Sequence, residues 1–141
     1  MPKIFSHKFT VTEDAIDDNG HVNNVTYVQW MQDIAIMHSD VQGYDATKYN
    51  VLDTTWVVRS HNIEYSQPAF AGDEIEILTW VSNIKGTRSL RKTKFVRTKD
   101  QAILAKAETN WVYIRRSSGR PCLIDDFVRQ AFIIVPENEE P

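Results

Sequence analysis

The chain has 141 residues, 42% of them hydrophobic and 25% charged, with a net charge of −3; this suits one domain around one core and excludes a molecule built as a whole to embrace nucleic acid. A single cysteine, Cys122, excludes an intrachain disulfide and fits a reducing compartment, so a cytoplasmic location is expected. The opening "MPKIFSHKF" has no long apolar h-region and no run reaches the roughly 20 apolar residues that cross a bilayer, so neither a secretory leader nor membrane association is expected.

Residues 5–11, "FSHKFTV", alternate, with Phe5, His7, Phe9 and Val11 on one face, and predict a strand. Residues 12–24 are rich in turn formers. From Thr26 the period changes. Tyr27, Trp30, Met31, Ile34, Ala35 and His38 recur at helical spacing, Thr26 and Gln29 have the spacing of a capping box, and Gly43 is the expected stop. Val28, Ile36 and Met37 widen the apolar arc, so this helix should be covered on most sides. Residues 41–53 read as irregular. Strands follow over 54–65, 73–83, 88–98 and 102–115, and the apolar stretch 127–135 is the candidate for one more. Short turns between them argue for an antiparallel meander with the one long helix on its face. The expected fold class is α+β, a sheet wrapped around a buried helix. So wide a sheet with one helix leaves an edge uncovered, and a homodimer or homotetramer is expected. Residues 1–136 should form the single domain, and 137–141, "ENEEP", a solvated acidic tail.

The segment "DDNGHVNNVTYVQW", residues 17–30, concentrates turn formers and polar groups at the mouth of the helix. Unpaired N–H groups and the positive dipole end at a helix start can hold a developing oxyanion. A carboxylate beside them, Asp17, can activate a water or attack a carbonyl. Gly20 permits a tight turn or close approach of a substrate, and Asn19 and His21 add donors. Asx-rich turns also serve simply as caps, so composition alone leaves both readings open.

These residues resemble the signature of the hotdog-fold acyl thioesterases, the group containing the 4-hydroxybenzoyl-CoA thioesterases and their bacterial relatives. The spacing Asp-x-Asn-x-His-Val-Asn-Asn is also similar to that of the plant acyl-ACP thioesterases. Downstream, "VVRSHNIEYSQPAFAGDEIEILTWV" resembles the family's second and third strands, with the Tyr, the Pro and the Gly-Asp turn. The resemblance spans roughly residues 5 to 115. It implies the hotdog fold and hydrolysis of an acyl thioester carried on CoA or acyl-carrier protein, with no cofactor. It implies Asp17 as the catalytic carboxylate, with Asn19, His21 and Asn24 in the catalytic set. Gly20 and the backbone around Asn23 and Asn24 would present N–H groups to the thioester carbonyl. Many members carry another acid two residues before the catalytic one; here that position is Ala15, with Asp14 adjacent. General-base and nucleophilic roles for Asp17 both remain open.

Residues 85–99, "KGTRSLRKTKFVRTK", hold seven Lys or Arg and no acid. Coenzyme A phosphates need such charge, and Arg offers a bidentate fork. The resemblance implies that the stretch Lys85 to Arg91 reaches the nucleotide end, with Arg88 the first candidate and Lys85 the second; Arg115, Arg116 and Arg120 form a second basic group. An exposed strand face is also often Lys/Arg-rich for solubility alone. A nucleic-acid platform built with Phe95 is a rival, opposed by the acidic net charge and the lack of an RNP-like aromatic motif. A protein of the same fold that binds acyl-CoA without hydrolysis is another. His61 is the candidate to border a partner subunit's site, Glu64 a lesser one for positioning water, and His7 and His38 read as packing residues. The four His show no metal-ligand spacing, and no Gly-x-Ser-x-Gly elbow or Gly-rich phosphate loop is present. Trp30, Met31, Ile34 and Trp56 are expected to shape the acyl pocket.

Overall fold

Period-two alternation produces five strands in the computed structural model, which describes residues 3–141. They are β1 (Ile4–Thr10), β2 (Thr54–Tyr65), β3 (Glu74–Lys85), β4 (Arg88–Arg97) and β5 (Ala102–Arg115). β2 and β5 have the bounds that their sequence predicts. All pairings are antiparallel and the order is β1-β3-β4-β5-β2. The expected meander therefore holds for β3, β4 and β5 but not for β2, which lies beyond β5 at the sheet edge. Residues 66–73 carry the chain back across the ends of β5 and β4. Three strand spacings of about 4.8 Å are well within reach of a connection that long. The loop is held to the sheet end where the Ser66 N–H donates to Leu104 O at 2.8 Å.

Helix α1 (Asn24–Val41) starts two residues before the expected capping box. Asn23 is its cap: the Asn23 side chain accepts the Val25 N–H at 2.8 Å. A short Asx side chain reaches a first-turn N–H directly, so this cap displaces the Thr26/Gln29 pair. Gly43 ends the helix as expected, at φ +90°, where a side chain would be strained. α1 buries Tyr27, Met31, Ile34, Ala35 and His38, while Trp30 is half-buried and Val25, Ile36 and Val41 are exposed. The apolar arc is thus narrower in one chain than the sequence implies. The helix packs over β1 and β3. The inner row of β2 is consequently under-covered: Trp56, Val58, His61 and Ile63 are half-buried and Tyr65 is exposed.

Two apolar clusters fill the space between helices and sheet. One joins Tyr27, Met31 and Ile34 to Ile75, Ile77, Phe95 and Ala107. The other joins Tyr49, Val81, Ile84, Tyr113, Val128 and Phe132. Two short helices complete the second cluster, and both replace sequence expectations. Residues 41–53, expected to be irregular, contain α2 (Ala46–Leu52), capped by Asp45, whose side chain accepts the Lys48 N–H at 2.8 Å. Seven residues are too few for a period to declare itself. The expected last strand is instead α3 (Asp126–Ala131) followed by an extended end. Val128 is the residue that α3 buries; Phe132 and Val135, in the extended end beyond it, are buried as well. His7 is exposed rather than packed. The acidic tail is not free in solvent, because Glu140 accepts from Trp80 Nε1 at 3.0 Å and from Lys92 Nζ at 2.9 Å. Among the described residues, no helix is long and apolar enough to cross a membrane.

Candidate active site

The 15–24 segment forms a closed loop ahead of α1. Ile16 and Val22 make an isolated antiparallel bridge. Inside it, the Asp17 N–H donates to His21 O and the Gly20 N–H to Asp17 O, both at 3.0 Å. Gly20 sits at φ +81°, which lets so short a loop turn back. Buried Val22 anchors the loop, and its N–H donates to Ala69 O at 2.8 Å. The Asn23 N–H donates to Ala15 O at 2.9 Å, and the half-buried Ala15 side chain packs against the first apolar cluster. Removing the cap by Asn23→Ala is expected to cost about 1 kcal/mol, seen as a lowered midpoint in chemical denaturation.

Asp17 is half-buried, and its Oδ1 accepts the Asn19 N–H at 2.9 Å. That bond fixes the carboxylate and leaves Oδ2 for a reacting group. His21 is half-buried, its Nδ1 3.3 Å from Val22 O. Asn24 opens the helix; its carbonyl accepts the Tyr65 hydroxyl at 3.0 Å. Its N–H has no acceptor among the described residues, and the helix dipole adds positive potential there. Tyr27, one turn on, packs edge-on against Phe95 and Tyr65, and desolvation raises its hydroxyl to about 12. The loop thus brings together Asp17, Asn19, Gly20, His21, Asn23 and Asn24: one oriented carboxylate and one helix-start N–H without an acceptor among the described residues.

The other expected residues lie elsewhere in the same chain. Lys85 and Arg88 flank the β3–β4 turn, paired with each other and exposed. The 17–24 loop packs at the opposite end of β3, near Asp73 and Glu74. At about 3.3 Å per residue, β3 separates the two by roughly 35 Å. His61 sits mid-β2 on the inner face, its Nδ1 2.8 Å from Thr109 Oγ1, and desolvation lowers its pKa. Arg91, which the sequence places in the stretch expected to reach the nucleotide, is buried instead, on the inner face of β4.

Sequence reasoning missed an inner cavity of about 370 Å³ between the C-terminal half of α1, α2 and the β4–β5–β2 side of the sheet. Of the residues expected to shape the pocket, only Trp56 lines it; Trp30, Met31 and Ile34 belong to the other cluster. Its walls include Ala35, Ile36, Tyr49, Val81, Trp111 and Phe132, with Arg91 and Ser89 on the floor. A polar band crosses the sheet here, between the two apolar clusters: Thr79, Thr93, Ser89, Arg91 and Thr109 are all buried. The signal was available in the alternation, since Arg91 shares parity with Phe95 and hence shares its face.

A family model described as the thioesterase-like superfamily matches residues 11–132. No curated protein matches the chain. Solved structures do. Slr0204, a 1,4-dihydroxy-2-naphthoyl-CoA thioesterase from Synechocystis, superposes with a TM-score of 0.83 at 15% identity, covering 92% of this chain and 95% of that one. The hypothetical protein SAV2348 from Staphylococcus aureus, in complex with CoA, gives 0.85 at 17% identity over 91% of this chain and 80% of that one. An acyl-ACP thioesterase from Bacteroides thetaiotaomicron gives 0.80 at 22% identity over 86% of this chain and 50% of that one, so this chain spans half its length. These likenesses identify the sheet wrapped around α1 as the hotdog fold. With a family model spanning residues 11–132, the chain belongs to the thioesterase-like superfamily, and thioester hydrolysis is its reaction class.

Proposed function

We propose that the protein is an acyl-CoA thioesterase acting as a homodimer, with each active site shared between two subunits. One observation carries this reading: β2 is a long open edge whose inner row lacks cover, and its two ends touch two different halves of a site. At one end, Tyr65 binds Asn24 of the carboxylate loop. At the other, Thr55 and Trp56 line the cavity, with Arg116 beside them. An isologous antiparallel pairing of two β2 strands about their midpoints would set Tyr65 of one subunit beside Thr54 of its partner. The Asp17 loop of one chain then faces the cavity mouth of the other. Lys85 and Arg88, at the cavity end, come within reach of the same site and can hold the phosphates of CoA. The edge, the inner row and the separated halves are all accounted for by this one pairing.

In this site the thioester carbonyl rests on the Asn24 N–H at the helix start. Asp17 takes the proton of a water, the resulting hydroxide adds to the carbonyl, and the tetrahedral oxyanion is held at the helix N-terminus. Collapse breaks the C–S bond, and the CoA thiolate leaves with the proton from Asp17. Direct attack by Asp17 would pass through a mixed anhydride that water then opens; the loop geometry serves both routes. Free-thiol release from a panel of acyl-CoAs, short to long and aromatic, tests the proposal. Turnover on one class is expected. Turnover on acyl-carrier-protein thioesters alone would move the handle from CoA to the carrier, and none on either would overturn the hydrolase.

A further inference from the structure

Arg91 is 7% exposed and lies on the floor of the cavity. Its Nη1 donates to His38 Nδ1 at 2.9 Å and to Thr79 Oγ1 at 3.2 Å. Both acceptors are neutral: a guanidinium can only donate, so His38 Nδ1 must carry the lone pair. The ion pairs among the described residues engage Lys3, Lys92 and Arg97, never Arg91. Its Nε and Nη2 have no hydrogen-bond acceptor among the described residues. Burial without a counter-charge pushes the guanidinium down to about 10, which leaves it charged at neutral pH.

An uncompensated buried cation is costly. A structural role would be served better by a hydrophobe or by an ion pair. The neighbourhood offers donors in excess. The Trp111 indole N–H, in the cavity wall, is buried without an acceptor. The Tyr49 hydroxyl already accepts from Trp56 Nε1 at 3.0 Å. The carboxylates at this cavity, Asp40 and Asp45, are exposed, and neither forms an ion pair with Arg91. Ala35, Ile36, Val81 and Phe132 form an apolar part of the lining, beside the polar Ser39 and Thr55 and the exposed Arg116.

We propose that the cavity takes an acyl group whose far end carries a carboxylate, seated on the free fork of Arg91, so that the preferred substrates are ω-carboxyacyl thioesters. The inference rests on the thioesterase reading above and names its substrate class. A bidentate guanidinium–carboxylate pair is the strong, directional contact that the vacant Nε and Nη2 positions fit. The methylene stem of such a substrate would lie along Ala35, Ile36, Val81 and Phe132.

The test compares ω-carboxyacyl-CoAs with the simple acyl-CoAs of equal chain length, from four to ten carbons, on the intact protein. A preference in kcat/KM of about tenfold or more for the carboxylated member is expected at the best-fitting length. Arg91→Met should bring that ratio to about one or below, and Arg91→Lys, which keeps charge and loses the fork, should leave an intermediate ratio. Should Arg91→Met fail to fold, the wild-type ratio and the Arg91→Lys variant decide. Calorimetric binding of non-hydrolysable ω-carboxyalkyl-CoA and alkyl-CoA thioethers separates this proposal from the catalytic one. Tighter binding of the carboxylated thioether without turnover of any substrate keeps the subsite and overturns the hydrolase. Hydrolysis with no carboxylate preference at any length overturns the subsite and keeps the hydrolase.

Discussion

Asp17→Asn is expected to lower kcat by about a hundredfold or more, the scale on which a positioned general base or nucleophile contributes. The substitution isolates chemistry from structure. Asparagine keeps an oxygen at Oδ1 to accept the Asn19 N–H, so the loop and the start of α1 are retained. What it removes is the ability to take a proton or to attack. Thermal unfolding should therefore change little while turnover collapses, and both are read on one preparation. Asp17 faces no neighbouring cation in an ion pair among the described residues. Removing its charge thus breaks no bridge that would confuse the outcome. A variant that keeps more than a tenth of wild-type turnover would assign the chemistry to another group, with Asp18 of the same loop and Asp14 of the turn before it next to be replaced.

How much of this was legible differs from residue to residue. The carboxylate loop was, because Asp17, Gly20, His21 and Asn23 lie within seven residues and their interactions close locally. The bounds of β2 and β5 were too, since alternation is a local property. The position of β2 was not. It depends on a crossing loop, and nothing in the alternation of a strand states which neighbour it will have. That one placement decides where His61 lies relative to Asp17. α2 escaped because its one buried anchor, Tyr49, shows no period. Arg91 escaped for a different reason. It stands in a run of basic residues whose alternate members, Lys92 and Lys94, do face outward, Lys92 opposite Glu108 on β5. Composition grouped the run together, whereas strand parity divides it into an outer charged face and one buried cation.

Two inactive variants are expected to restore activity when combined. Asp17→Asn disables the carboxylate and leaves the cavity intact. Ile36→Trp does the reverse: Ile36 is exposed and lines the cavity, so an indole there fills the mouth without disturbing the core. In the proposed dimer, each variant alone has two dead sites. In a heterodimer, the chain with intact Asp17 serves the chain with the open cavity, and one of the two sites is whole. Random pairing of equal amounts makes half of the dimers mixed, so roughly a quarter of all sites should recover. The measurement is thiol release after the two variants are co-refolded from denaturant, against each refolded alone. Recovery near that fraction requires Asp17 and the cavity to come from different subunits. It is also the outcome that β2–β2 pairing demands, because only that pairing carries the Tyr65 end of one strand to the Thr54 end of the next. A mixture as inactive as its components would put both halves of the site in one chain. The roughly 35 Å between Asp17 and the basic turn would then leave Lys85 and Arg88 without a part in binding.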